Sequence, residues 1–163
     1  TGTGSGDRQA PYSYDTATSV TFESFGDADG SVWDVVVGAP QDITAQVLAE
    51  NTFNDPPPDG VVFVGFSVDI TLIAADKVPL SPGFNFSWEL LGGATHAVYT
   101  YGTIGGGFGC GVIPGEFDTY SEVFVGGSLT GTVCLLLPTE DLGLATTQVA
   151  LNFADGNRAV FGQ

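Results

Sequence analysis

Basic residues are almost missing from this chain. Arg8, Lys77 and Arg158 are its only Lys or Arg and His96 its only histidine, set against 19 Asp and Glu for a net charge of −16. A phosphate backbone is bound by lysines and arginines that release its counterions. Nucleic acid is therefore excluded as a partner, and so is electrostatic docking on anionic lipid. The acids are ordinary in number, and only 13% of residues are charged against about 25% in a typical domain. The charge thus comes from a shortage of bases. A surface rich in Thr, Ser, Gly and Asp with almost no Lys suits an exported protein kept soluble by acidic self-repulsion.

Long apolar runs are missing too. The best candidate, residues 61–75, is interrupted by Gly65, Ser67, Asp69 and Thr71 and falls short of the roughly 20 residues of a membrane span. Methionine is absent, and nothing at Thr1 resembles the basic and apolar regions of a signal peptide, so a processed or trimmed chain is expected. Two cysteines and one histidine, without C-x-x-C or H-x-x-x-H spacing, exclude the usual zinc sites.

What the chain does hold is glycine and β-branched or aromatic residues. "GGGFGCGVIPG" (105–115) is not a dinucleotide loop. Cys110 stands where the third glycine belongs, and no helix follows to present aligned N–H groups to an anion. A nucleophilic cysteine needs a cation or a base beside it, and His96 is the one histidine on offer. The remaining reading is a disulfide between Cys110 and Cys134, closing a loop of about 25 residues worth on the order of 3 kcal/mol. That bond is expected outside the reducing cytosol.

Short runs of β-branched and aromatic residues alternate with turn signals such as "GDADG", "NDPPPDG" and "LSPG". They predict strands near 19–25, 31–37, 43–50, 61–74, 84–90, 95–101, 119–125, 128–137, 146–153 and 158–161. Alternation is sharpest at Val62, Val64, Phe66, Val68, Ile70 and Leu72, with Ser67, Asp69 and Thr71 opposite. Leu129, Val133, Leu135 and Leu137 form a second such row. Only "DITAQVLAE" (42–50) also fits a helix. The fold expected is an all-β, antiparallel immunoglobulin-like β-sandwich over residues 19–163, preceded by a flexible Gly/Ser/Thr-rich tether at 1–18.

Catalytic constellations are weak. Asp69, Glu89 and Glu122 offer carboxylates on strands, where a facing pair would suit glycoside hydrolysis, but alternate strand positions ordinarily place acids in solvent. A Ser-His-Asp triad would have to use His96, and no serine sits in a G-x-S-x-G elbow. The chain is expected not to be an enzyme. Asp27, Asp29 and Asp34 in "GDADGSVWD" suggest a loose calcium site. The EF-hand spacing fails, because Gly30 comes fourth and Gly38 twelfth, and a polar turn explains the stretch as well. No other cofactor is expected. Trp33 and the row Phe84, Phe86, Trp88 read as core. Tyr99, Tyr101 and Tyr120, each with a hydroxyl to keep wet, are the candidate contact surface.

"WDVVV" (33–37), "AENTFNDPPPDGVVFV" (49–64), "CGVIPGEF" (110–117) and "EVFVGGSLTGTVCLLLP" (122–138) occur in order along most of the chain. Together they resemble small actinobacterial secreted proteins and lipoproteins of the DUF4352 type, related to a mycobacterial secreted antigen with an immunoglobulin-like sandwich. The resemblance implies an extracellular or cell-surface location, no enzymatic activity, and a lipid anchor upstream of Thr1. Three roles follow as expectations. The first is a non-catalytic module contacting a protein or cell-envelope component. The second is a self-assembling homo-oligomeric surface subunit, which a positive mean hydropathy favours. The third is a carbohydrate-binding domain stacking sugars on Tyr99, Tyr101 and Trp88.

Overall fold

The alternating runs form two sheets packed face to face. The structure is a computed structural model and describes residues 4–22, 28–84, 86–104, 109–153 and 156–163, with the Phe84 side chain outside that description. In chain order the strands are β1 (Tyr12–Ser13), β2 (Thr18–Thr21), β3 (Val32–Val37), β4 (Gln41–Asp42), β5 (Val61–Ala74), β6 (Phe86–Leu91), β7 (Val98–Tyr99), β8 (Ser128–Pro138), β9 (Gln148–Phe153) and β10 (Arg158–Gly162), with one helix, α1 (Thr44–Glu50), after β4. The first sheet runs β1-β10-β9-β6-β7. In the second, β5 is the spine: β3 and β4 pair along one side of it, β2 adds to β3, and β8 pairs along the other side. Among the described residues the strands pair antiparallel except β1 with β10. The expected all-β sandwich is the fold.

Period-2 patterning places the core. Val64, Phe66, Val68, Ile70 and Leu72 of β5 are buried, and Ser67 and Asp69 are exposed. Trp33, Val35 and Val37 are fully buried on β3, and their face meets Phe86, Trp88 and Leu90 from the other sheet. Phe22 ties the layers together, stacking on Trp33 at 5.1 Å, meeting Phe86 edge to face and packing at a tilt on Phe153. Trp33 donates its indole N–H to Ser31 Oγ (2.9 Å), as a buried tryptophan should.

Three expected strands differ. Residues 43–50 fold as α1, because Ile43 and Val47 recur at helical spacing and drop onto Phe63, Cys110, Ile113 and Leu136 in a small second core. Residues 119–125 make one isolated bridge, Leu80 to Val123. Asp118 instead folds that stretch into a turn, accepting Tyr120 N–H (3.0 Å), Ser121 N–H (3.2 Å) and Ser121 Oγ–H (2.7 Å). Strand 95–101 shrinks to Val98–Tyr99.

Residues 4–18 are not a tether. Asp7 caps a turn by accepting Gln9 and Ala10 N–H, and the Ser5 hydroxyl that also donates to it holds its carboxyl below the usual range. Arg8 donates to Gly92 O (3.0 Å) and Tyr14 Oη–H to Thr147 O (2.9 Å), while Tyr12 packs on Phe161. The composition reads as linker, but Asp7, Arg8, Tyr12 and Tyr14 are anchors that compositional averaging hides.

On the outer face of the first sheet, Glu89 is 2% exposed and paired with Arg158, Nε to Oε2 at 2.6 Å. The hydrogen bond from Arg158 to Glu89 raises the guanidinium's affinity for its proton. Arg158→Ala leaves a buried carboxylate without its cation. Chemical denaturation is expected to show a loss of about 2 kcal/mol, partly restored by adding Glu89→Gln.

Candidate functional site

The sandwich is open along one side. Strand β8 ends the second sheet there, and β7 covers only Leu90 and Leu91 of β6, so among the described residues no strand pairs with the Phe86–Glu89 edge. Between this edge and Thr132–Leu136 of β8 lies a cleft of about 1160 Å³. Thr100, Tyr101 and the segment Gly109–Tyr120 contribute to its walls, and Phe53–Pro58 lies at its margin.

Local chemistry fixes those walls. Asn54 donates Nδ2–H to Val47 O (2.8 Å) and Val112 O (2.7 Å) and accepts Val112 N–H (2.9 Å), joining α1, the triple-proline segment and the 110s loop. Thr132 N–H reaches Gly115 O (2.8 Å), and Phe117 N–H reaches Thr132 O (2.9 Å), so Gly115–Phe117 lies along β8. Gly131 permits this approach: a Cβ there would stand 2.5 Å from Phe117 Cα. Cys110 and Cys134 are bonded, with Cα atoms 6.1 Å apart.

The lining is aromatic and acidic. Phe53 (91% exposed), Tyr101 (68%) and Tyr120 (63%) show rings to solvent beside Trp88 and Phe117, which meet edge to face at 6.3 Å. Asp55, Glu89 and Glu116 contribute carboxylates, and no Lys, Arg or His is among the lining residues. Trp88 Nε1 and Asn152 Oδ1 are buried polar atoms with no hydrogen-bond partner, and both residues line this cleft. Such orphans are rare in folded proteins. The arrangement suits a neutral or cationic ligand held by ring faces and hydrogen bonds, and it repels anions.

Tyr101 and Tyr120 therefore stand together at one site. Tyr99 does not join them: it is 9% exposed and donates Oη–H to Asp141 Oδ2 (2.5 Å), a bond that raises its phenol's affinity for the proton. With Tyr99 and Trp88 buried, the sugar platform expected from Tyr99, Tyr101 and Trp88 is reduced to Tyr101. Of the calcium candidates, Asp29 is exposed, Asp34 sits mid-strand between Ser19 and Thr71, and Asp27 lies outside the described residues. Among the described residues no three His, Cys, Asp or Glu side chains are grouped to hold a metal. His96 turns Nδ1 to Arg8 Nη2 at 2.6 Å. Asp69 and Glu122 are exposed, and Glu89 is engaged by Arg158.

One residue was invisible to sequence reasoning. Asp141 is fully buried and accepts from Ala94 N–H (3.0 Å), Thr95 N–H (2.7 Å), Thr95 Oγ1–H (2.6 Å) and Tyr99 Oη–H. Burial pushes its carboxyl up, but these donors outweigh that and hold it at about 2. One of two adjacent acids in "LPTEDLG" carries no signal of this.

No protein-family model matches the sequence, and no curated protein does. Among solved structures the fold is similar to MPT63, a secreted protein from Mycobacterium tuberculosis, with TM-score 0.54, 13% identity, and 94% of this chain and 98% of that one covered. A weaker likeness, TM-score 0.47 at 12% identity over 94% of each chain, is to an uncharacterized β-sandwich protein from Clostridium difficile 630. The MPT63 likeness agrees with the expected resemblance at the level of fold, and the DUF4352 assignment finds no support in a matching family model. What the chain shares with MPT63 is the architecture of a β-sandwich.

Proposed function

We propose that this chain is an exported, non-catalytic β-sandwich module that contacts a protein or cell-envelope component through the cleft between β6 and β8. The observation that carries the reading is the cleft itself. It is open, rimmed by exposed aromatic rings, and lined by two residues whose buried polar atoms lack partners. The disulfide, the scarcity of bases and the fold shared with a secreted protein support export.

The two tryptophans supply the test. Trp33 is sealed in the core and hydrogen-bonded, whereas Trp88 lines the cleft, so their indole N–H resonances report separately. Soluble peptidoglycan fragments, chitin oligosaccharides and short peptides of either charge are titrated against labelled protein. A saturable shift of the Trp88 resonance with Trp33 unmoved, lost in Tyr101→Ala/Tyr120→Ala, is the expected result. No saturable shift with any of these probes removes the cleft as the contact site.

A further inference from the structure

We propose that the cleft takes an extended polypeptide segment bearing lysine or arginine, which adds as a further strand to the open edge of β6; this rests on reading the cleft as the contact site. The backbone phase of β6 carries the first step. Gly92 N–H bonds to Ala97 O (2.8 Å), so residues of even number in β6 turn their N–H and C=O toward β7, since the two backbone groups of a strand residue point the same way and alternate along it. The opposite ladder agrees. Phe153 N–H bonds to Asn157 O across the β9–β10 turn, which leaves the even residues of β9 facing β6 and pairs Ser87 with Asn152 and Glu89 with Ala150. Phe86 and Trp88 therefore present their backbone groups to the side that β7 leaves uncovered, and among the described residues nothing hydrogen-bonds to them there.

An uncovered strand edge is a template for a further strand. Across the cleft, the open side of β8 is already taken at Thr132 by Gly115 and Phe117. An incoming strand thus pairs with β6. A cleft of about 1160 Å³ also exceeds the roughly 300–1,000 Å³ of small-molecule sites.

Charge selects the segment. Asp55 and Glu116 line the cleft without a cation among their fellow lining residues, Glu89 being matched by Arg158, and the chain as a whole carries −16. Tyr101, Tyr120 and Phe53 add exposed ring faces, on which a guanidinium or ammonium group is attracted by the π quadrupole. An acidic segment meets repulsion throughout, and a cationic one is both steered in and held.

The test uses the oxidised protein and blocked hexapeptides alternating Lys and Thr or Glu and Thr, with two Lys–Thr versions N-methylated at odd or at even positions. The Lys–Thr peptide is expected to saturate the Trp88 indole shift, to move the Phe86 and Trp88 amides, and to protect them from exchange. The Glu–Thr peptide binds at least about tenfold more weakly, and Glu116→Gln weakens the Lys–Thr peptide about three- to tenfold with a shallower salt dependence. One N-methylated register abolishes binding and the other leaves it intact, because only alternate N–H groups face β6. Equal binding of the two charges, or equal behaviour of the two N-methylated peptides, overturns the proposal. A chitin oligosaccharide that moves Trp88 when no peptide does would overturn it while leaving the cleft as the contact site. Shifts of the cleft resonances with protein concentration alone would assign the edge to a second copy of this chain, and overturn it too.

Discussion

Asp141→Ala is expected to lower the unfolding free energy by about 3–4 kcal/mol and Tm by about 10 °C. The carboxylate is fully buried and is the common acceptor for two backbone N–H groups and two hydroxyls, all from residues 94–99. Around it, Asp141 O accepts Gly93 N–H (2.9 Å) and Thr147 Oγ1–H (2.6 Å). The residue is thus the hub on which the β6–β7 connection and the approach to β9 are folded. Alanine leaves those donors unpaired, and only those that reach water recover a partner. Asp141→Asn keeps the volume but turns an amide N–H₂ toward donors, so it is expected to restore less than half of the loss. The pH dependence has a definite sign. The folded carboxyl is held at about 2, below its ordinary 3.8, so its contribution is complete above the ordinary value and is lost as the pH falls toward the folded one. Denaturant midpoints of the parent protein should drop between about pH 4 and pH 2, and the gap to Asp141→Ala should narrow over the same window. A gap that stays constant through it would assign the residue a packing role.

Asp141 also shows where sequence reading stops. Elements whose residues carry their own signal are legible: β3, β5, β8 and β9 read directly because one face is apolar, and the Cys110–Cys134 bond follows from cysteine number and compartment. Residues whose role comes from distant partners are not. Tyr99 and Tyr101 differ by two positions and share a parity, yet one is tied to a carboxylate 42 residues away and the other faces solvent. Periodicity cannot separate them, because β7 ends at Tyr99 and the alternation ends with it.

The cleft was legible only in fragments. "NDPPPDG" reads as punctuation between strands, which it is. That Asn54 also straps the segment to Val47 and Val112, and so stands it beside the cleft, depends on a loop nearly sixty residues further on. The open edge of β6 is likewise a property of what β7 fails to cover. Trp88 reads as core and is core, packed on Phe66 and Phe86; its lining role follows from lying where the two sheets part.

Removing the disulfide, as Cys110→Ala/Cys134→Ala so that no hydroxyl is buried, is expected to cost about 3 kcal/mol and to weaken binding at the cleft. The two consequences have separate causes. Stability falls because the unfolded chain regains the freedom of a loop spanning 24 positions of sequence, with a further loss from the sulfur atoms packed against Val47, Phe63, Ile113 and Leu136. Binding falls because Cys134 lies on β8 and Cys110 in the loop across from it, so the bond sets how far Gly109–Cys110 stands from the β6 edge. Other anchors remain: Asn54 still holds Val112, and Thr132 still holds Gly115 and Phe117. The fold should therefore survive: protection of the β5–β8 ladder from hydrogen exchange should fall only by the loss of global stability, and a further, local loss of protection should be confined to residues 109–113. At a temperature where both forms are fully folded, the Trp88 titration then separates the roles. Weaker binding there makes the disulfide part of the site, and unchanged binding reduces it to a staple that the walls of the cleft do not need.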